Sequence, residues 1–313
     1  MSRMPTVGLA GLFAAAVLAL PATAQTVALG TTKGGATAQL ATAIANVVSE
    51  AGEIQMRPQV MANTSQYIPV VNAGRIEFGV ANYPQLWYAV HGKGMSSEPN
   101  PNLRVVATLF PFTAGIVVTE ASGIGSLADL RGRKVPRFPD NSLGDYIVRA
   151  ALAAGGLGYG DVIEVPIANF PRMYDALKQG QTEMSIATIG SQPTFELEAT
   201  LGDIQFLSFP ADSEAKLAEF LPGAYLRDIP ASAELPGLDA PARVFAYDYL
   251  LFANKDVPDD VVAKVVKAIH HGEAALKASS PLWREFDASR IGKPLDLEYH
   301  PGALAYFRAN GLR

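Results

Sequence analysis

The chain has 313 residues, a formal net charge of −5, 49% hydrophobic and 18% charged residues, and no cysteine. The missing cysteine excludes thiol catalysis, cysteine-ligated zinc and iron–sulfur sites. The acidic balance argues against a nucleic acid or an anionic membrane as partner, although a local pocket can oppose the global sign.

The chain opens MSRMPTVGLAGLFAAAVLALPATAQ, which reads as an export signal. Arg3 gives a positive start, and the apolar run Gly8 to Leu20 is shorter than the ~20 residues of a bilayer span. Ala22-Thr23-Ala24 then forms a small-x-small cleavage site that leaves Gln25 as the first mature residue. With no cysteine at the site to carry a lipid, the expectation is a soluble periplasmic protein lacking residues 1–24.

Strand patterns follow in order: TVALGT (26–31), QMRPQV (55–60), FGVAN (78–82), RVVATLF (104–110), GIVVTE (115–120), KVPRF (134–138), VIEVPI (162–167), MSIATIG (184–190) and IQFLSF (204–209). Helical patterns separate most of them, including LGDYIVRAALAAGG and DDVVAKVVKAIHHGEAALKA. This alternation predicts an α/β fold with mostly parallel sheets. Two segments resemble each other without a gap, NTSQYIPVVNAGRIEFGVAN (63–82) and NFPRMYDALKQGQTEMSIAT (169–188). Asn63 matches Asn169, Gly74 matches Gly180, Glu77 matches Glu183 and Ala81 matches Ala187. Each unit reads as a helix start, one amphipathic helix, a glycine that stops it and a buried strand.

Two such units predict two lobes, each a mostly parallel sheet flanked by helices. RVVATLF-PFTA-GIVVTE and FAYDYLLFANKDVP (245–258) read as two crossings between them, which makes the fold hinged. The expected division is 25–112 with 211–313 as lobe one and 113–210 as lobe two. In open parallel sheets ligands bind where strand C-termini run into helix N-termini, and such N-termini offer free N–H groups and partial positive charge to an anion.

The order of pieces LGTTKGG, SGIGSLADLRGRKV, the two repeated units, LLFANKDVPDDVVAKVVKAI and HPGALAYFRANG resembles the TAXI group of TRAP-transporter solute-binding proteins over nearly the whole mature chain. The resemblance implies a type II periplasmic binding-protein fold. The implied function is capture of a small, carboxylate-bearing solute and its delivery to sodium-coupled TRAP membrane subunits. The expected protein is not an enzyme, carries no cofactor and is by default a monomer. The first loop departs from the family: its usual GTGGTGGTYYP is here GTTKGGATAQL, which introduces Lys33. The third loop carries Arg137 and Asp140 where relatives are small and neutral.

The expected cleft residues are Thr31, Thr32, Lys33, Gly34 and Gly35 after the first strand, and Asn63, Thr64 and Ser65 at the next helix start. Asn82 and Tyr83 follow the third strand. In lobe two they are Arg137, Asn141 and Ser142, and then Thr188, Gly190 and Ser191. Lys33 can meet a ligand carboxylate as a point charge or stand as a solvated loop lysine. Arg137 can hold a carboxylate through its planar fork or form an ion pair with Asp140. Asn63 and Ser142 can serve equally as helix caps, and Tyr83 can line the cleft or pack between lobes. No catalytic set emerges. His270 and His271 are adjacent rather than four apart, as a zinc helix requires, and no G-x-S-x-G elbow occurs. Two further readings stand beside the first: a binding component of an ATP-driven importer for sulfonate- or nitrate-like anions, and an exported enzyme on the same two-lobed scaffold.

Overall fold

The structure, a computed structural model, describes residues 25–313, and the expected export segment 1–24 lies outside the described residues. The first α/β unit comprises β1 (Gln25–Thr32), α1 (Gly35–Glu50), β2 (Ile54–Met61), α2 (Thr64–Asn72), β3 (Phe78–Asn82) and α3 (Tyr83–His91). A long strand, β4 (Leu103–Thr119), leads to the second unit. That unit comprises β5 (Lys134–Arg137), α4 (Leu143–Ala154), β6 (Ile163–Pro166), α5 (Phe170–Lys178), β7 (Ser185–Thr188), α6 (Gln192–Leu201) and β8 (Ile204–Leu207). After it come α7 (Glu214–Phe220), β9 (Tyr225–Ile229), the second long strand β10 (Ala242–Asn254), α8 (Asp259–His271), α9 (Glu273–Ser279) and α10 (Pro301–Ala309).

RVVATLF and GIVVTE, which read as two strands, are the two halves of the single 17-residue β4. The intervening Pro111 lacks an N–H to donate to a ladder. It lies opposite Asp248, where the register between β4 and β10 shifts. The sheets also differ from two separate parallel ones. Eight strands form one mixed sheet in the order β2-β1-β3-β10-β4-β7, with β8 also on β4 and β9 also on β10, while β5 and β6 make a separate parallel pair. The mixing arises because β4 and β10 run antiparallel to each other and to their other ordered neighbours. Among the described strands, the β1–β2, β1–β3 and β5–β6 pairs are the parallel ones.

The sequence repeat is a repeat of hydrogen bonds. Asn63 and Asn169 cap α2 and α5, each side chain accepting at 3.1 Å from the N–H three residues on. Gly74 and Gly180 both close their helices at φ +67°, where an L side chain is strained. Glu77 accepts from the Ala28 N–H of β1 at 2.7 Å, and Glu183 accepts from the Lys134 N–H of β5 at 2.8 Å. In the strand ladders Ala28 pairs with Arg57 and Lys134 with Ile163. Each second-unit residue in these pairs stands at the same sequence separation from its first-unit counterpart.

Two apolar clusters give the molecule two lobes. One joins Leu29, Ile44, Tyr67 and Val80 to Leu250, Phe252, Val265 and Phe307. The other joins Ile116, Val135, Val148 and Met173 to Leu217, Leu221 and Phe245. A smaller cluster around Val117, Leu197 and Leu238 covers the other face of the second lobe's strands. The segment from α7 to the start of β10 therefore packs with lobe two, although it follows residue 210: β9 pairs with Ala242–Ala246, and Leu217 and Leu221 lie in the lobe-two cluster.

The HPGA stretch is explained by packing. His300 caps α10, its Nδ1 accepting from the Gly302 N–H at 3.2 Å, and a Cβ at residue 302 would stand 2.3 Å from the Asp259 carbonyl oxygen. His300 is 0% exposed and its Nε2 has no partner. Burial pushes its imidazole below the ordinary value of 6.5, the nearby Asp259 carboxylate opposing only in part. The unfolded chain thus binds the proton more tightly, and stability is full above about pH 6.5 and falls as pH drops through that value. The loss should approach at most about 1.4 kcal/mol per pH unit for this one proton. His300→Asn, which keeps a capping acceptor, should flatten the slope between pH 6.5 and 5.5 in urea melts; an unchanged slope would assign it to other groups.

Candidate functional site

The register of the crossing strands brings the two units' strand ends face to face. Asn82, the last residue of β3, lies opposite Tyr249 of β10. Thr188, the last residue of β7, lies opposite Ala114 of β4. Tyr249 falls between the pairs Asp248–Pro111 and Leu250–Thr108. About four residues of β4 therefore separate the two ends, roughly 13 Å at the rise of a strand. β3 and β7 point toward each other across this gap, and β1, parallel to β3, ends on the same side. Two converging sets of strand ends, each followed by a helix start, make the candidate site.

Its floor is aromatic. Phe112 stacks on Tyr247 with ring centroids 5.4 Å apart and meets Tyr249 edge-on at 5.6 Å. Phe112 packs against both main clusters, Tyr247 belongs to that of lobe two and Tyr249 to that of lobe one. Burial holds the Tyr247 phenol well above its ordinary value and raises that of Tyr249, beside which stands the Thr37 side chain.

On the lobe-one side Lys33, Gly34, Gly35, Asn63 and Ser65 are exposed, and Thr32 is half-buried. Gly34 caps α1 with no side chain, and a Cβ at residue 34 or 35 would have nothing within 4 Å. Lys33 forms no ion pair among the described residues. Thr31, Thr64 and Asn82 are buried; the Thr31 hydroxyl donates to the Thr37 carbonyl at 3.2 Å, and Asn82 caps α3 by accepting from the Gln85 N–H at 3.0 Å.

On the lobe-two side Ser142 caps α4, accepting from the Asp145 N–H at 3.4 Å. Exposed Asn141 is the one described non-glycine residue at positive φ, +60°. Thr188, Gly190 and Ser191 are half-buried before α6, where the Ser191 and Thr194 hydroxyls lie 3.0 Å apart. A hollow of about 590 Å³ opens at the ends of β5 and β6, lined by Arg137, Phe138, Pro139, Asp140, Pro166, Ile167 and Ala168. An adjoining one of about 290 Å³ continues past Arg172 to Gln181. The 166–169 turn was absent from the sequence expectation, yet the match of Asn169 with Asn63 pointed to it.

Arg137 is held by three carboxylates. It donates through Nη1 to Asp145 and through Nη2 to Asp140, and its Nε lies 3.0 Å from Glu164. Its guanidinium also sits 4.2 Å from the centre of the Tyr159 ring. Asp145 is fully buried and accepts from the Tyr159 hydroxyl at 2.9 Å. Arg149 Nε is 3.0 Å from its other oxygen, off the line a hydrogen bond requires.

Tyr83 faces lobe two. A Cβ at Gly223 would lie 2.2 Å from its ring, and burial pushes its phenol up to about 12. Further along α3, Tyr88 donates to the Phe220 carbonyl at 3.0 Å and packs on Tyr146 with centroids 5.2 Å apart. Arg227 of β9 meets Glu285 at 2.9 Å. These contacts join the lobes beside the crossing strands.

A protein-family model described as NMT1-like matches residues 29–311. Among solved structures, the chain is similar to MatC from Rhodopseudomonas palustris with bound malate, at 15% identity and a TM-score of 0.57, covering 94% of this chain and 97% of that one. It is also similar to the periplasmic aliphatic sulphonate binding protein SsuA from Escherichia coli (16% identity, TM-score 0.52, 91% and 83% covered). The alkanesulfonate-binding protein SsuA from Xanthomonas axonopodis pv. citri bound to MOPS matches at 15% identity with a TM-score of 0.51, covering 86% and 82%. At these identities the likeness establishes the fold, the two-lobed α/β architecture of periplasmic binding proteins.

The two glycines at the edges of the site should respond differently to a methyl group. Gly34→Ala adds a side chain to extended backbone in open space and should change stability by under about 0.5 kcal/mol. Gly223→Ala combines a φ of +73° with displacement of the Tyr83 ring and should cost about 2–4 kcal/mol. Equal midpoints in denaturant for the two variants would contradict the placement of Tyr83 between the lobes.

Proposed function

The chain belongs to the NMT1-like family, and on that premise we propose that it is a periplasmic solute-binding protein that closes two lobes on a small organic anion. The observation that carries this reading is the convergence of β3 and β7, with the helix starts that follow, over the midpoint of two shared strands. Helix N-termini stabilise negative charge, and closure around them removes the water that competes for it. The expected contacts are Lys33 with the open backbone of Gly34 and Gly35, Asn63 and Ser65 on one side, and Asn141, Ser142, Gly190 and Ser191 on the other. Thr31, Thr64, Asn82 and Tyr83 then support the site from within. The protein acts as a monomer, without a cofactor, after removal of residues 1–24.

In its finer form the reading is a TAXI-type protein that delivers a carboxylate to TRAP membrane subunits. The malate held by MatC supports a carboxylate ligand. The sulfonate-binding structures favour a second reading, the binding component of an ATP-driven importer for sulfonates. Both use the same cleft and neither needs catalysis.

Native mass spectrometry of the exported protein should show Gln25 at its N-terminus and a bound solute of small mass. After unfolding and refolding to empty the site, malate and related acids on the one hand, and alkanesulfonates on the other, should separate the readings in thermal melts. A ligand at a hundred times its Kd adds about 2.7 kcal/mol, a rise of about 4–5 °C for a chain of this size. No shift with either class, and no co-purifying solute, would sink the anion reading.

A further inference from the structure

The first strand-to-helix loop of each unit is related to the other by the same repeat, and the two loops differ in one respect. At the repeat spacing, Thr31 of β1 corresponds to Arg137 of β5, Gly34 to Asp140 and Gly35 to Asn141. The backbone correspondence holds: Gly35 is at φ +79° and Asn141 at φ +60°. In lobe one, position 34 has no side chain and faces open space. In lobe two, the equivalent position carries a carboxylate that lies on the guanidinium of the preceding strand's last residue.

The three carboxylates on Arg137 are not equivalent. Asp145 is 0% exposed and is also held by the Tyr159 hydroxyl and by Arg149, so it is a fixed part of the fold. Glu164 is 44% exposed and reaches Arg137 from two residues before its ladder partner Pro166 on β6. Asp140 is 70% exposed, its side chain bonds to Arg137 Nη2 alone among the described residues, and it sits with Arg137 on the wall of the 590 Å³ hollow. Asp140 and Glu164 are each held by Arg137 alone among the described residues, but Asp140 is the more exposed of the two and the one on the wall of the hollow, so it is the carboxylate that an entering anion meets.

We infer that Asp140 is a tethered stand-in for the ligand's anion: it occupies the edge of Arg137 on the wall of the hollow and is displaced when an external anion arrives. This rests on the anion-binding reading of the cleft and specifies its lobe-two contact. An anion at Arg137 competes with a carboxylate already in place, so affinity is lowered and weak inorganic anions are kept off the site. The cost of releasing Asp140 is that of an exposed ion pair, small enough for a ligand with several contacts to meet and large enough to reject one with a single contact.

Inorganic sulfate is the probe, because it needs no knowledge of the natural ligand. Refolded wild-type protein, Asp140→Asn and the double variant Asp140→Asn/Arg137→Lys are titrated calorimetrically at low ionic strength, with thermal melts to verify folding. Lysine retains a cation for buried Asp145 and removes the planar fork. Asp140→Asn should bind sulfate ~2- to 5-fold more tightly than wild type, and the double variant should lose that gain. Equal binding by wild type and Asp140→Asn would overturn the inference. So would weaker binding by Asp140→Asn, which would make Asp140 itself a ligand contact, or a gain that survives in the folded double variant. Failure of these variants alongside a solute-loaded wild-type protein leaves the cleft reading standing, and an empty wild type with no response to organic anions removes that reading independently.

Discussion

The antiparallel pairing of β4 with β10 is the constraint on which the molecule depends. Both strands run through both hydrophobic cores, so their register alone decides how the two sets of strand ends meet. Both faces of each strand are packed, and a one-residue slip in this ladder would exchange the side chains presented to them. It would also move Asn82 and Thr188 relative to each other along the site. The ladder is irregular only near Pro111 and again near Leu251, and the first irregularity coincides with the aromatic floor formed by Phe112, Tyr247 and Tyr249. The chain thus places its backbone defect at the bend between lobes, where ladder bonds are least needed to hold either core.

Much of this architecture was legible because it is written in local chemistry. Asparagine before a helix, glycine after it and an apolar run beyond are short-range signals, and they recur in both units with the same hydrogen-bond partners. The duplicated glutamates were visible as a match, but their role was not: Glu77 and Glu183 reach N–H groups on strands far away in sequence. The two crossings were legible as strands without helices between them. Their fusion with neighbours into one mixed sheet was not, because strand direction is a property of pairing rather than of pattern.

The site was legible in outline and less so in its charges. Asp140 is three residues from Arg137, within reach of a local reading. Glu164 meets Arg137 only through the β5–β6 register, as a diagonal cross-strand neighbour. Asp145 arrives through the rotation of α4. Tyr83 follows a strand that ends at the site, but α3 turns it toward Gly223, and nothing in the spacing YPQLWY distinguishes that face from the opposite one. The segment YLRDI failed to read as a strand because it alternates weakly and is only half-buried.

The aromatic contacts between the lobes have a consequence for the surroundings in which the protein would work. In the periplasmic setting proposed, small ions equilibrate with the growth medium, and the screening length ranges from about 30 Å in dilute water to about 8 Å near physiological strength. A hinge braced mainly by charge would shift its resting angle with every such change. Here Tyr83 against Gly223 and Tyr88 against Tyr146 and Phe220 rely on shape, apolar contact and one hydroxyl. Among these contacts, the Arg227–Glu285 pair is the one open to screening. The resting angle between the lobes is thereby buffered against salinity, leaving solute as the signal that moves it.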